Sequence, residues 1–544
     1  MATPVGIRRR SRYIVIVIAA LMVALVAAAC GSGSDDSGSD EPAGDPVDGG
    51  EVVAGLEAET DGLNPTTNRW AVAGLQMAAA VYDPLMAYDE DGEVRPYLAE
   101  SFEPVEGTDF TQWTLKIRPG ITFHDGTPVD AAAVKRNIDG HLDSILTSSV
   151  FTGLQSPEIV DDLTLSLTTD FPWATLPALF VNQTGYIAAP SMLDSDDGGD
   201  QSPIGSGPFK LESRTVDSQT VFVKNENYWR EGLPHLDKIT FRIVPDEQQR
   251  STALAAGDID LTQTDRDEEV AGFESNPNID VFLAEDDEEE NLYLNQDNPN
   301  GQLADERVRM AVSYAVDREG HNELLGSGIT EVANSAWGPE SKFYPGDEVT
   351  HIGYDPEKAR ELVDEYESDT GEEIELTLMT TPNPDNGASI DFVKENLEEV
   401  GISTGEPLKI EQSEFISQLI NGTYDIALVR QFGDPDPDVD AVWWFSENAD
   451  TPVPLNFVRN RDPEIDRLLL EARATTDLDT RRELYWEVAQ RQNDAAVYVR
   501  LYHTVWAVAW RDQVESVTEW ELPDGEPGLP IVRGRYQTAQ IWVS

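Results

Sequence analysis

Trp113-Thr-Leu-Lys-Ile-Arg-Pro-Gly120, running directly into Ile121-Thr-Phe-His-Asp-Gly-Thr-Pro128, is the stretch that decides the fold. Trp113, Leu115 and Ile117 alternate with Thr114 and Lys116, the period-two pattern of a half-buried strand. Arg118-Pro-Gly and His124-Asp-Gly are turns, because Pro presets φ and Gly admits conformations that other residues avoid. Pro128 and Asp130 then open a helix through Ala131, Val134 and Ile138. This is scaffold, so His124 and Asp125 are read as stabilising turns rather than holding a ligand.

The same patterns recur on either side. Ile239, Phe241 and Ile243 alternate, as do Leu376 with Leu378 and Ile426 with Leu428. Folded sequence is predicted to begin near Glu51, with Val52, Val53 and Leu56 in a first strand. Asp305 to Glu319 sets Val308, Ala311, Val312, Ala315 and Val316 on one face and is predicted as one helix. Asp355 and Pro356 open another as cap and first helical residue, and 465–493 is helix-rich. Strands mixed with helices over 544 residues indicate an α/β or α+β protein of more than one lobe.

Formal net charge is −64, from 102 acidic against 38 basic residues. So negative a surface repels nucleic acid and anionic lipid, and nucleic-acid binding is rejected. The run Glu285–Glu290 is read as a solvated loop, and the spread of acid as an adaptation to salt.

At the N-terminus, Arg8, Arg9, Arg10 and Arg12 precede an apolar run from Tyr13 to Val26, then three alanines and the only cysteine, Cys30. Basic head, short apolar core and small residues describe a secretory signal, and the run falls short of the roughly 20 residues of a spanning helix. The segment resembles a bacterial lipoprotein precursor with Cys30 as the lipidated residue. The alternative is an ordinary signal peptide or an uncleaved anchor. Residues 31–50 are Gly, Ser, Asp, Glu and Pro with little else, a flexible tether. With Cys30 lipidated, no cysteine remains for disulfides, nucleophiles or thiolate metal sites.

The chain has no G-x-S-x-G elbow, no P-loop and no H-E-x-x-H, and its six histidines are not paired at ligand spacing. No cofactor and no metal are expected. Gly433-Asp-Pro-Asp-Pro-Asp-Val-Asp440 has a superficial likeness to a calcium loop, but its prolines, and Val439 where the turn glycine belongs, argue against one. Trp337, Trp443 and Trp444 stand in loop-like sequence, where tryptophan supplies either a ligand-stacking surface or core area.

Pro96-Tyr-Leu-Ala-Glu-Ser-Phe-Glu103 and the 113–128 stretch form one signature. Further pieces follow in order: Gly205-Ser-Gly-Pro-Phe209, Asn227-Tyr-Trp229, Ala255-Ala-Gly-Asp-Ile-Asp260, Asp305-Glu-Arg-Val-Arg309 and Tyr354-Asp-Pro-Glu-Lys-Ala359. From about residue 49 onward the chain resembles the family 5 extracellular solute-binding proteins of ABC importers, the dipeptide/oligopeptide/nickel group. The resemblance implies an α/β, two-lobed periplasmic-binding-protein-like fold of class II type, with an extra insert domain and a cleft between the lobes. It implies lobe I at 51–90, 200–285 and 505–544, its insert at 91–199, and lobe II at 286–504. It also implies a monomer that is no enzyme, lipid-anchored on the outer side of the cytoplasmic membrane, serving an ABC permease.

Peptide-binding members carry an aspartate before a Tyr-x-Asp/Glu-Pro turn. Here that aspartate is replaced by Gly433, the tyrosine by Asp434, and a tryptophan three residues before the aspartate by Arg430. Arg430 suggests an anion, since guanidinium offers paired donors. Its alternative role is to neutralise Asp434 and Asp436. The candidate ligand residues are therefore Trp337, Arg430, Asp434, Trp443 and Trp444. Peptide is the leading ligand class; a sugar, an anionic solute, and a sensory role on the same fold are the alternatives. An exported hydrolase is disfavoured by the lack of a nucleophile–base pattern.

Overall fold

Strand Gln112–Ile117 buries Trp113, Leu115 and Ile117 and exposes Gln112, Thr114 and Lys116, as its alternation requires. It lies in a four-stranded antiparallel sheet ordered Ala99–Pro104, Gln112–Ile117, Thr164–Thr168, Glu158–Asp161. Asp130 caps the helix Ala131–Asp143, its carboxylate accepting from Ala133 N at 2.9 Å. The His124 ring meets the Gly207 carbonyl at 3.0 Å, and Asp125 accepts from the backbone and hydroxyl of Thr127. This computed structural model describes residues 46–284, 287–325, 330–431 and 433–544. Cys30 and the tether up to residue 45 lie outside the described residues.

Two larger sheets carry the lobes. The first has seven strands: Ile279–Ala284, Trp506–Arg511, Leu261–Thr264, Glu51–Leu56, Lys238–Ile243, Gln219–Lys224 and Phe209–Thr215. Glu51–Leu56 runs parallel to both neighbours in its centre, and most of it is buried. The second has five: Leu408–Lys409, Leu378–Thr380, Ile426–Gln431, Glu289–Leu294 and Tyr498–His503. The fold is α/β and two-lobed, with an insert.

The chain passes between these sheets by two adjacent connections. Ala284 pairs with Trp506 at the edge of the first sheet, and Glu289 with His503 in the second. Thr504 N donates to the Glu288 carbonyl at 2.9 Å between them. Two connections of a few residues, lying side by side, make a hinge.

Two expectations are corrected here. The predicted helix over 305–319 is two helices, Glu306–Ala315 and Arg318–Leu325. Val316 turns extended, and the Asn396 side chain accepts from Asp317 N at 2.8 Å at the break. The acidic run is not a solvated loop over its described part: Glu288, Glu289 and Glu290 are 0%, 1% and 7% exposed. Arg500 pairs with Glu289, and Arg430 lies 3.5 Å from Glu288. Arginines distant in sequence allow the run to enter a sheet, which its local composition conceals. Among the described residues no helix is long and apolar enough to cross a membrane.

Candidate functional site

The turn after strand Ile426–Gln431 is where the lobes meet. In Gly433-Asp-Pro-Asp-Pro-Asp-Val-Asp440 the prolines fix φ and remove donors, so the aspartates shape the turn. Asp434 N donates to the Asp440 carboxylate at 2.7 Å, and Asp438 N to that of Asp436 at 3.0 Å. Asp434, Asp436, Asp438 and Asp440 are all buried, so each needs a partner.

Those partners come from every body of the protein. Asp436 receives two bonds from Arg481, at 2.6 and 3.0 Å. Asp438 accepts from Arg473 at 2.7 Å and, from the insert, Trp173 Nε1 at 2.6 Å and Thr175 Oγ1 at 2.5 Å. The Arg473 guanidinium also lies 4.0 Å from the Trp173 ring centre. Asp434 pairs with Arg533 and accepts from Asn182 Nδ2 at 2.6 Å. Arg533 reaches Asp440 too, at 3.4 Å, and donates to the Gly433 carbonyl at 2.7 Å. Burial and the charge of Asp434 push the Asp440 pKa well up. Further along the seam, Lys342 bonds Glu93 at 2.6 Å and Arg266 pairs with Asp385.

The five sequence candidates fall in three places. Trp337 and Trp444, each 2% exposed, pack edge to face in an aromatic cluster with Phe343 and Tyr485. Arg430 stands at the hinge, paired with Asp265 and close to Glu288, its guanidinium 4.7 Å from the Trp506 ring centre. The alternative role proposed for Arg430 is corrected: Arg533 and Arg481, not Arg430, pair with Asp434 and Asp436. Asp434 and Trp443 do lie in the seam. Gly433 has no room for the aspartate of the peptide-binding pattern, since a Cβ there would fall on the Asp287 carbonyl.

Sequence reasoning missed Arg69, Asn182, Arg473 and Arg533. Each lies far along the chain from the turn it serves, and no local motif marks it. Arg69, N-terminal to helix Val72–Val81, lays its guanidinium 5.1 Å from the Trp443 ring centre. Trp443 in turn packs on Phe457, 5.7 Å between centres. Among the described residues no group of three or more His, Cys, Asp or Glu is arranged to hold a metal ion.

Two lobes joined by a two-stranded hinge and meeting in a polar seam are the architecture of a two-lobed binding protein. Residues 93–452 match the model of the bacterial extracellular solute-binding proteins, family 5, and the chain belongs to that family. It is a transport binding protein, not an enzyme. It is 28% identical over 472 residues to the nickel-binding periplasmic protein of Escherichia coli K12, covering 80% of this chain and 86% of that one. It is 27% identical over 432 residues to the glutathione-binding protein GsiB of Pectobacterium atrosepticum, covering 75% and 80%. Its fold matches the oligopeptide-binding protein AppA of Bacillus subtilis, solved with a nonapeptide, at a TM-score of 0.78 and 23% identity, over 92% of this chain and all of that one.

Proposed function

We propose that this chain is the solute-capturing lipoprotein of an ABC importer, anchored through Cys30 and taking a small solute of peptide type between its lobes. In this reading lobe I comprises 51–90, 200–285 and 505–544, with the insert at 91–199, and lobe II comprises 286–504. The observation that carries it is the seam at 434–443, where lobe I supplies Arg69 and Arg533, the insert Asn182, Trp173 and Thr175, and lobe II the aspartates and Trp443. Groups from three bodies that meet at one turn form a site only when the lobes are together. That is the behaviour of a protein that closes on its ligand.

Relatives named for glutathione and for oligopeptides support the peptide class. In this reading the solute's amine is not held at Asp434, whose charge is already paired by Arg533 and whose other oxygen accepts from Asn182. The test is mass spectrometry of the small molecule released when the purified chain is denatured. A short peptide or peptide derivative, present near one per chain, is expected. Repeated purification from peptide-rich medium with no small molecule present, and none binding on addition, would contradict the reading.

A further inference from the structure

Arg69 has the backbone of an anchored residue and the side chain of an uncommitted one. The Gln183 amide donates to the carbonyls of Pro65 and Asn68 at 2.9 and 2.6 Å, and its oxygen accepts from Trp70 N at 3.1 Å. Trp70 Nε1 donates to the Gly62 carbonyl at 2.8 Å, and the Asn68 side chain to Asp200 at 2.7 Å. Both chain neighbours of Arg69 are thus tied down. The guanidinium itself has one contact of 3.5 Å with the Leu146 carbonyl and its stack on Trp443. Among the described residues no carboxylate pairs with it, in a protein that has 102 acidic residues.

Its surroundings explain what it lacks. The Arg69 side chain is open to solvent, within electrostatic reach of both Arg533 and Asp440. Its guanidinium lies at the seam between the lobes, over the Trp443 ring. Arg533 is matched by Asp434 and Asp440, whereas Arg69 has no such match. Among the described residues Arg69 therefore has no carboxylate at ion-pair distance, and the carboxylate of a solute would supply one. A planar guanidinium already stacked on an indole keeps its edge donors free for a carboxylate.

Resting on the solute-capture reading above, we infer that Arg69, backed by Trp443, is the subsite that receives a carboxylate of the captured solute. Closure matters to it, because Arg69 comes from lobe I and Trp443 from lobe II. Both the C-terminal carboxylate of a short peptide and the carboxylate of a non-peptide acid have the required chemistry.

The test titrates the purified chain, by calorimetry, with matched acid and neutral probes: trialanine and trialanine amide, glutathione and its diethyl ester, succinate and succinamide. At least one acid is expected to bind tenfold or more tightly than its neutral partner. Arg69→Gln should weaken that acid by about ten- to a hundredfold, as loss of a charge-assisted pair does, and the neutral partner by much less. Arg69→Lys should keep part of the preference. Both variants should fold and melt close to the wild type, since among the described residues Arg69 makes no ion pair and its contacts are one long bond to Leu146 and the stack on Trp443. Binding of trialanine but not succinate assigns the carboxylate to a peptide, and the reverse to a simple acid. An acid preference that survives Arg69→Gln, neutral probes that bind as well as acids, or no acid binding at all would overturn the inference. A released solute that carries no carboxylate would overturn it alone and leave solute capture standing. A chain that neither carries nor binds any solute would overturn both.

Discussion

Replacing Arg430 with methionine separates a hinge role from a ligand role. Arg430 faces Asp265, which is a quarter exposed, and Glu288, which is wholly buried. Burial alone would raise Asp265, yet Arg430 and Arg266 hold its pKa below the ordinary carboxylate value. Removing one partner of a buried ion pair costs about 3–5 kcal/mol, because the remaining charge is left uncompensated. Loss of the stack on Trp506 adds about 0.5–2 kcal/mol. Arg430→Met is therefore expected to lose about 4–7 kcal/mol of stability in urea, followed by tryptophan fluorescence and circular dichroism. Glu288→Gln in the same chain should restore part of that loss, since it removes the charge left stranded. Affinity for the released solute, measured well below the unfolding transition, should stay within about threefold of the wild type, under 1 kcal/mol. Wild-type stability together with a tenfold or greater loss of affinity would refute the hinge assignment and return Arg430 to the ligand.

Three further outcomes follow from the seam. Asp438→Asn strands Arg473 and weakens the bonds to Trp173 and Thr175, so a loss of about 3–5 kcal/mol is expected, with faster hydrogen exchange at 173–175. Unchanged exchange there would show that the aspartate does not hold the insert. Burial pushes Glu290 up to about 7 from an ordinary 4.5. A carboxylate whose folded pKa is raised contributes stability at low pH that is lost as pH rises from about 4.5 through 7. Glu290→Gln should therefore gain on the wild type between pH 5 and 8, by up to about 3 kcal/mol, and a pH-independent difference would contradict this. Gly433→Ala brings a Cβ onto the Asp287 carbonyl, a backbone clash that no rotamer relieves, so the variant is expected to be poorly soluble; a well-folded variant that binds normally would refute the close approach.

The fold was legible because its signals are local. Trp113, Leu115 and Ile117 alternate, Asp130 and Asp355 cap helices, and these patterns are visible within a few residues. The site was legible only in part. The turn at 433–440 is identified by its prolines and aspartates, but its partners are Asn182, Arg473, Arg481 and Arg533, between 35 and 252 residues away from the aspartates that they meet. Glu288–Glu290 looked like a solvent-facing run for the same reason, since Arg430 and Arg500 are invisible to a local window. Trp337 and Trp443 have similar loop contexts in sequence. Only packing separates the one in the aromatic core from the one beneath Arg69.

The central claim is that the lobes close on a solute, and small-angle scattering tests it most directly. The chain, stripped of its solute by partial unfolding and refolding, should expand relative to the purified form. Adding the released solute back to saturation should restore the compact curve, because the seam contacts of Asp434, Asp438 and Lys342 form only when the lobes meet. Identical scattering with and without the solute, at a concentration where calorimetry shows the site filled, would contradict the account.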